Sequence, residues 1–204
     1  REEVTESKFP EIVKNIAIIY KQLGQNDMAL AAIETARASN PDDVGLIITA
    51  ANIYFELDDK EAFKLAMSEA IEKEPNNPIL YYNLGVVSGE LGEKESARTY
   101  YEKSIELDPT NENSYLNLVA LILDGEQEIV NEMNSLGTSR SDNLRYDELK
   151  ITREELYKEC VPILKDLIAI SNDLEAIRTL MNIYGTLGDN PGYMEMKNLL
   201  DQLQ

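Results

Sequence analysis

Residues 16–43 read IAIIYKQLGQNDMALAAIETARASNPDD, residues 48–77 read ITAANIYFELDDKEAFKLAMSEAIEKEPNN, and residues 81–111 read YYNLGVVSGELGEKESARTYYEKSIELDPTN. Their closing prolines, Pro41, Pro75 and Pro109, stand 34 residues apart. Each block holds two apolar stripes at i, i+3, i+4 and i+7, the spacing that lays side chains along one face of a helix. A short polar joint parts the stripes: Leu23-Gly24-Gln25, Leu57-Asp58-Asp59 and Leu91-Gly92-Glu93. The unit is a helix hairpin, and a fixed period of this length marks a stacked array. Chance periodicity in an ordinary helical bundle would not set three blocks in register.

Counted from origins at Pro10, Val44, Pro78 and Glu112, the blocks resemble tetratricopeptide repeats. The small residue of the first helix is Ala17, Ala51 and Gly85, then Val119. The aromatic after it is Tyr20 and Tyr54, but Ser88 and Ile122 later. The small residue opening the second helix is Ala29 and Ala97, with Phe63 in its place in the second repeat, and the next small position is Ala36, Ala70 and Ser104. Small residues there let helices approach closely, and the aromatic fills the gap above. The resemblance covers residues 10–204 and implies an all-α fold: a right-handed superhelix, or α-solenoid, of helix hairpins.

The fourth repeat is split. Its first helix is expected within residues 111–130 and its second within 153–173, where Cys160 takes the small position and Leu164 and Leu167 the next two core places. About 29 extra residues lie between, with apolar spacing on both sides of a break at Gly137–Asn143. This predicts two helices overrunning the repeat as an extended hairpin with residues 138–143 at its tip; a surface loop is the alternative. Pro162 predicts either a kink in the second helix or a helix that starts late. A fifth repeat follows, with Tyr184 as aromatic and Gly188 in the turn. The expected organisation is an N-terminal remnant at 1–9 and repeats at 10–43, 44–77, 78–111, 112–173 (insert about 125–153) and 174–204. Residues 112–204 also resemble a group of tetratricopeptide proteins of Bacteroidetes bacteria with a long insert in a C-terminal repeat. That resemblance implies an exported, periplasmic protein, with a cytoplasmic one as the alternative.

Composition narrows the function. Lys+Arg 19 against Asp+Glu 38 leaves a net charge of -19, the wrong sign for neutralising phosphates or holding an anionic membrane. No apolar run is long enough to span a bilayer. The chain has no His, the commonest general base and metal ligand, and its one cysteine, Cys160, forms no internal disulfide. Asp42-Asp43 and Asp58-Asp59 read as turn and cap residues, and no phosphate loop or nucleophile elbow appears. The expectation is a protein that is not an enzyme and carries no cofactor and no metal.

In the family this chain resembles, the first helices line a concave face that holds segments of other proteins. The residues expected there include Ile48, Asn52 and Phe55, then Ile79, Tyr82 and Val86, then Leu116, Ala120 and Leu123. The middle of this face is apolar; it is either open for a partner or buried by tight winding. Glu11, Glu56, Glu90, Asp124 and Glu175 are expected to rim it with negative charge, which favours a peptide whose apolar stripe is flanked by Lys or Arg. The Lys, Asn and Arg pattern that clamps a C-terminal carboxylate is not assembled: Lys14, Asn52 and Asn83 never meet with further cations in one set. The reading is a scaffold that binds an amphipathic or extended peptide segment. The alternative is a structural homo-oligomer touching through the inserted hairpin.

Overall fold

The computed structural model describes residues 10–203; the expected N-terminal remnant lies outside the described residues. Among the described residues the regular structure is α-helix throughout, as the two stripes per block require. The chain divides into two compact units, Arg1–Leu107 and Asp108–Gln204.

The first unit stacks three hairpins: α1 (Pro10–Gln22) with α2 (Asn26–Ser39), α3 (Val44–Glu56) with α4 (Lys60–Lys73), and α5 (Pro78–Glu90) with α6 (Lys94–Leu107). Each second helix also meets the first helix of the next hairpin, α2 on α3 and α4 on α5. Alanines make this possible. Ala29, Ala32, Ile33 and Ala36 of α2 pack against Val13 and Ala17 of α1 and Leu46, Ala50 and Ile53 of α3, all buried. Phe63, Ala66, Met67 and Ala70 of α4 do the same between Ile47 and Ala51 of α3 and Leu80, Leu84 and Val87 of α5. The alanines on the shared helix let its neighbours close to contact distance.

Local chemistry fixes where the helices start and stop. The Asp43 carboxylate accepts from the Leu46 amide at 3.0 Å and Asp59 from Ala62 at 3.0 Å, satisfying amides that no helical carbonyl reaches. Each hairpin turns at one left-handed residue in the same register: Gly24 (φ 70°), Asp58 (φ 58°) and Gly92 (φ 75°). Gly suits that region because it lacks a Cβ, and Asp tolerates it better than most residues.

Repeat three explains its own departure from the aromatic pattern. Ser88 stands in the aromatic's place, and in this repeat a ring arrives from the other helix. Tyr101 of α6 lies over Gly85 so closely that a Cβ there would sit 2.6 Å from the ring. The Ser88 hydroxyl is left buried without a hydrogen-bond partner. Removing an unsatisfied buried hydroxyl relieves its desolvation cost. Ser88→Ala is expected to stabilise the first unit by about 1 kcal/mol, read as a higher denaturation midpoint at unchanged slope.

The second unit holds α7 (Glu112–Leu123), α8 (Glu126–Ser135), α9 (Arg140–Ser171), α10 (Leu174–Leu187) and α11 (Asn190–Leu203). The first helix of the fourth repeat does not run on to residue 130. It stops at Leu123, because Asp124 is extended and Gly125 left-handed (φ 93°), and α8 starts afresh. The expected tip residues divide as well: 136–139 connect α8 to α9, while Arg140–Asn143 already form the first turn of α9. Ser139 and Asp142 close a capping box there, each side chain bonding the other's backbone amide.

Helix α9 runs unbroken through Pro162, so it does not start late. It packs on α7, α8 and α10. Arg145 binds Glu132 of α8 at 2.7 Å, and Arg153 binds Glu126 at 2.7 Å while standing 5.1 Å above the Tyr157 ring. The Tyr157 hydroxyl donates to Glu126. Cys160 is fully buried below this cluster, where burial pushes its thiol up to about 12. It is a packing residue.

Candidate peptide-binding groove

The first helices place their side chains by helical period. On α3, Leu46, Ile47, Ala50, Ala51 and Ile53 turn inward, which leaves Asn52 and Phe55 outward and Ile48 at the edge of the core. On α5, Leu80, Leu84 and Val87 turn inward, leaving Ile79 exposed and Tyr82 and Val86 half-buried. On α7 of the second unit, Leu116 and Ala120 are exposed and Leu123 half-buried. None of the nine expected residues is buried. Phe55 is 43% exposed and Ile79 61%, high values for side chains of that size.

In the first unit, four of them surround one hollow. Asn52, Phe55, Tyr82 and Val86 line a cavity of about 240 Å³, completed by Phe63, Asn83 and Val87. Its walls are aromatic. Phe55 and Phe63 meet with ring centroids 5.6 Å apart at 56°, and Tyr82 leans on Tyr101 at 6.3 Å and 47°, both tilted arrangements that aromatic pairs prefer. Ile48 and Ile79 do not line it. A second hollow of about 250 Å³ lies between α1 and α3, lined by Ala17, Ile18, Lys21, Thr49, Asn52 and Ile53. Asn52 lines both.

Sequence reasoning left Phe63, Asn83 and Val87 out of the groove, and Phe63 is the one that comes from a second helix. It stands where the neighbouring repeats carry Ala29 and Ala97, and its ring forms the floor of the hollow. The departure from the small-residue pattern was the signal. The polar groups here are the Asn52 and Asn83 amides, each able to donate and accept; neither makes a side-chain hydrogen bond within the described residues.

The rim is not a bare acidic edge. Glu56 pairs with Lys21 at 2.6 Å, Glu90 with Lys60 at 3.2 Å, Glu11 with Lys14 at 2.8 Å, and Glu175 with Arg178. Lys21 and Lys60 reach Glu56 and Glu90 from other helices, which a one-dimensional charge count does not register, while Glu11 and Glu175 are paired within their own helices. Burial pulls Lys14 down, but Glu11 and Asp43 outweigh it and hold the ammonium above its usual range. Lys14 is therefore committed to its own acids and not free to receive a carboxylate.

In the second unit, Met133, Tyr146, Lys150, Arg153, Glu154, Tyr157 and Thr186 line a smaller hollow of about 200 Å³. Among the described residues no group of three or more metal-ligating side chains occurs, and no helix is long and apolar enough to cross a membrane.

Residues 15–43 and 79–111 match the model of the tetratricopeptide repeat family. The chain is a tetratricopeptide repeat protein. The unmatched stretch between them contains Phe63, the residue by which the second repeat departs from the pattern. Solved structures repeat the fold. YrrB, described as a tetratricopeptide repeat protein with an unusual peptide-binding site, aligns at a TM-score of 0.63 and 16% identity, covering 100% of this chain and 89% of its own. A MamA protein aligns at 0.62 and 15%, covering 98% and 91%, and MamA from Desulfovibrio magneticus at 0.61 and 13%, covering 96% of each. The first such domain of Spaghetti (RPAP3), bound to an HSP90 peptide, aligns at 0.52 and 22%, over 57% of this chain and 92% of its own. At these identities the likeness is one of fold. No curated protein is similar in sequence to this tetratricopeptide repeat protein.

Proposed function

We propose that this chain is a non-catalytic scaffold that captures a peptide segment of another protein on the first-helix face of its first unit. One observation carries the reading: a single hollow combines aromatic walls with two uncommitted amides, on side chains that the fold leaves open. Apolar walls take a side chain out of water, and amides of mixed donor and acceptor character match a peptide backbone. Structural neighbours that hold peptides, YrrB and the HSP90-peptide-bound domain, support the class of ligand. The segment is extended or amphipathic, with a large apolar residue for the hollow. Lys or Arg on its flanks would be drawn by the net charge of -19 rather than by particular rim acids, which are already paired.

Selection from a displayed random-peptide library tests this. The wild-type chain should enrich peptides with one large apolar residue and basic neighbours. Phe55→Asp and Tyr82→Asp should each lose at least tenfold in affinity for those peptides at unchanged helical circular dichroism, since a carboxylate in an apolar wall costs well over 1.4 kcal/mol. Equal capture by both variants removes this face from the reading. Export to the periplasm, the expectation drawn from the resemblance read in residues 112–204, belongs to the proposal, and cell fractionation checks it.

A second reading, self-assembly through α8 and α9, is favoured by Leu144, Tyr146 and Ile151, all exposed on α9. If it holds, deleting residues 130–150 lowers the mass in size-exclusion chromatography; an unchanged mass dismisses it.

A further inference from the structure

The internal repeats act as a control for one another. Moving 34 residues at a time, Ile12 of α1 corresponds to Leu46 and Leu80, Ile16 to Ala50 and Leu84, and Ile19 to Ile53 and Val87. The six residues in repeats two and three are essentially inaccessible, none above 1% exposed, because the second helix of the preceding hairpin lies on them. In repeat one the same surface is open. Ile12 is 50% exposed and Ile19 54%, Ile16 is half-buried, and exposed Leu23 extends the line. The spacing 12, 16, 19, 23 is the alternation of four and three that forms a seam between helices. A stripe built to receive a helix has none on it among the described residues.

The surroundings show what fits. The positions flanking the stripe on its open side, Asn15 and Gln22, are exposed and uncharged. Helix α2 of the same hairpin supplies the other half. Its Arg37 binds Glu69 of α4 and its Glu34 meets Tyr54 of α3, which fixes the face looking along the array. At about 100° per residue, Met28 stands opposite Arg37, with Thr35 and Ala31 beside it. These three are exposed, small or flexible, and uncharged. They offer what the buried counterparts receive from the alanine-rich faces of α2 and α4. Two chains that each carry -19 repel, so copies meet at least cost where the touching side chains are uncharged; among the described residues the stripe and the Met28–Ala31–Thr35 face are uncharged, with Glu11 and Asp27 at their margins.

We propose that the outer face of the α1–α2 hairpin is a two-fold contact between two copies of this chain, the Ile12–Ile16–Ile19 stripe of each α1 seating on the Met28–Ala31–Thr35 face of α2 in the other. One hairpin carries both complementary halves, as a self-complementary interface demands. Two helices about 20 Å long make a footprint of about 400 Å² per copy. That is below the roughly 800 Å² per partner of a standard stable interface, so the dimer is weak and depends on concentration.

Sedimentation of the full chain from low micromolar to high micromolar concentration tests this. The mass should climb from one chain toward two. Ile19→Glu, and separately Ile12→Lys, should weaken association at least tenfold with unchanged circular dichroism and melting; both sites are exposed, so folding is spared. Leu144→Glu on α9 should leave the dimer intact. A chain that stays single at every concentration overturns the proposal and leaves the stripe to a helix of another polypeptide. So does a dimer that survives both α1 variants, or one that Leu144→Glu abolishes.

Discussion

Raising the pH from about 9 to 12 should unfold the second unit while Cys160 and Tyr157 are present. Burial first, then the nearby acids, pushes the Cys160 thiol from 9.0 up to about 12 and the Tyr157 phenol from 10.0 up to about 12. Both groups are neutral when protonated, and both hold their proton more tightly in the folded chain. The stability they contribute is whole below the unfolded values, near pH 9 and 10, and is lost as pH rises toward 12. Each tenfold difference in proton affinity is worth about 1.4 kcal/mol, so together they remove several kcal/mol, a large part of what a domain of this size has. Urea titrations at a series of pH values measure the fall. Cys160→Ala and Tyr157→Phe should each flatten it, and the Ala is the residue that the first and third repeats carry at that place, as Ala29 and Ala97. An alkaline fall unchanged in the double variant would show that other groups govern it.

Gly85→Ala should be the most damaging one-carbon addition to the first unit. The new methyl would lie 2.6 Å from the Tyr101 ring, well inside contact distance. The ring has nowhere to go: it is 5% exposed and set at a tilt against Tyr82. Overpacking of this kind costs about 1–3 kcal/mol. The loss should appear in thermal unfolding as a lower midpoint, and Tyr101→Leu in the Gly85→Ala background should recover part of it. A midpoint within error of wild type would mean that α5 and α6 can move apart freely. Because Tyr101 supports Tyr82, the single variant should also weaken peptide capture.

The architecture could be read from the sequence because its determinants are local and repeated. Pro41, Pro75 and Pro109 set the period, and the joints at Gly24, Asp58 and Gly92 set the hairpins. The break at Gly125 was harder to read. The apolar spacing continues across it, and only the left-handed backbone there shows that α7 and α8 are separate. Among the groove residues, outward orientation followed from the period, so Asn52, Phe55, Tyr82 and Val86 could be named in advance. Phe63 could not, because it comes from a second helix whose residues normally serve packing. The paired state of Glu56 and Glu90 was also out of reach. It depends on which lysines neighbouring elements bring alongside, and that is a matter of three dimensions.

The floor of the hollow is a side chain rather than backbone. Its depth is therefore set by one codon: Leu at position 63 would deepen it and Ala would open it further, each at a cost in packing, because the Phe63 ring also fills the core between α3, α4 and α5. If the hollow holds a peptide as proposed, small genetic steps at this one position retune which side chain it takes, while the repeat pattern that builds the stack is left as it was.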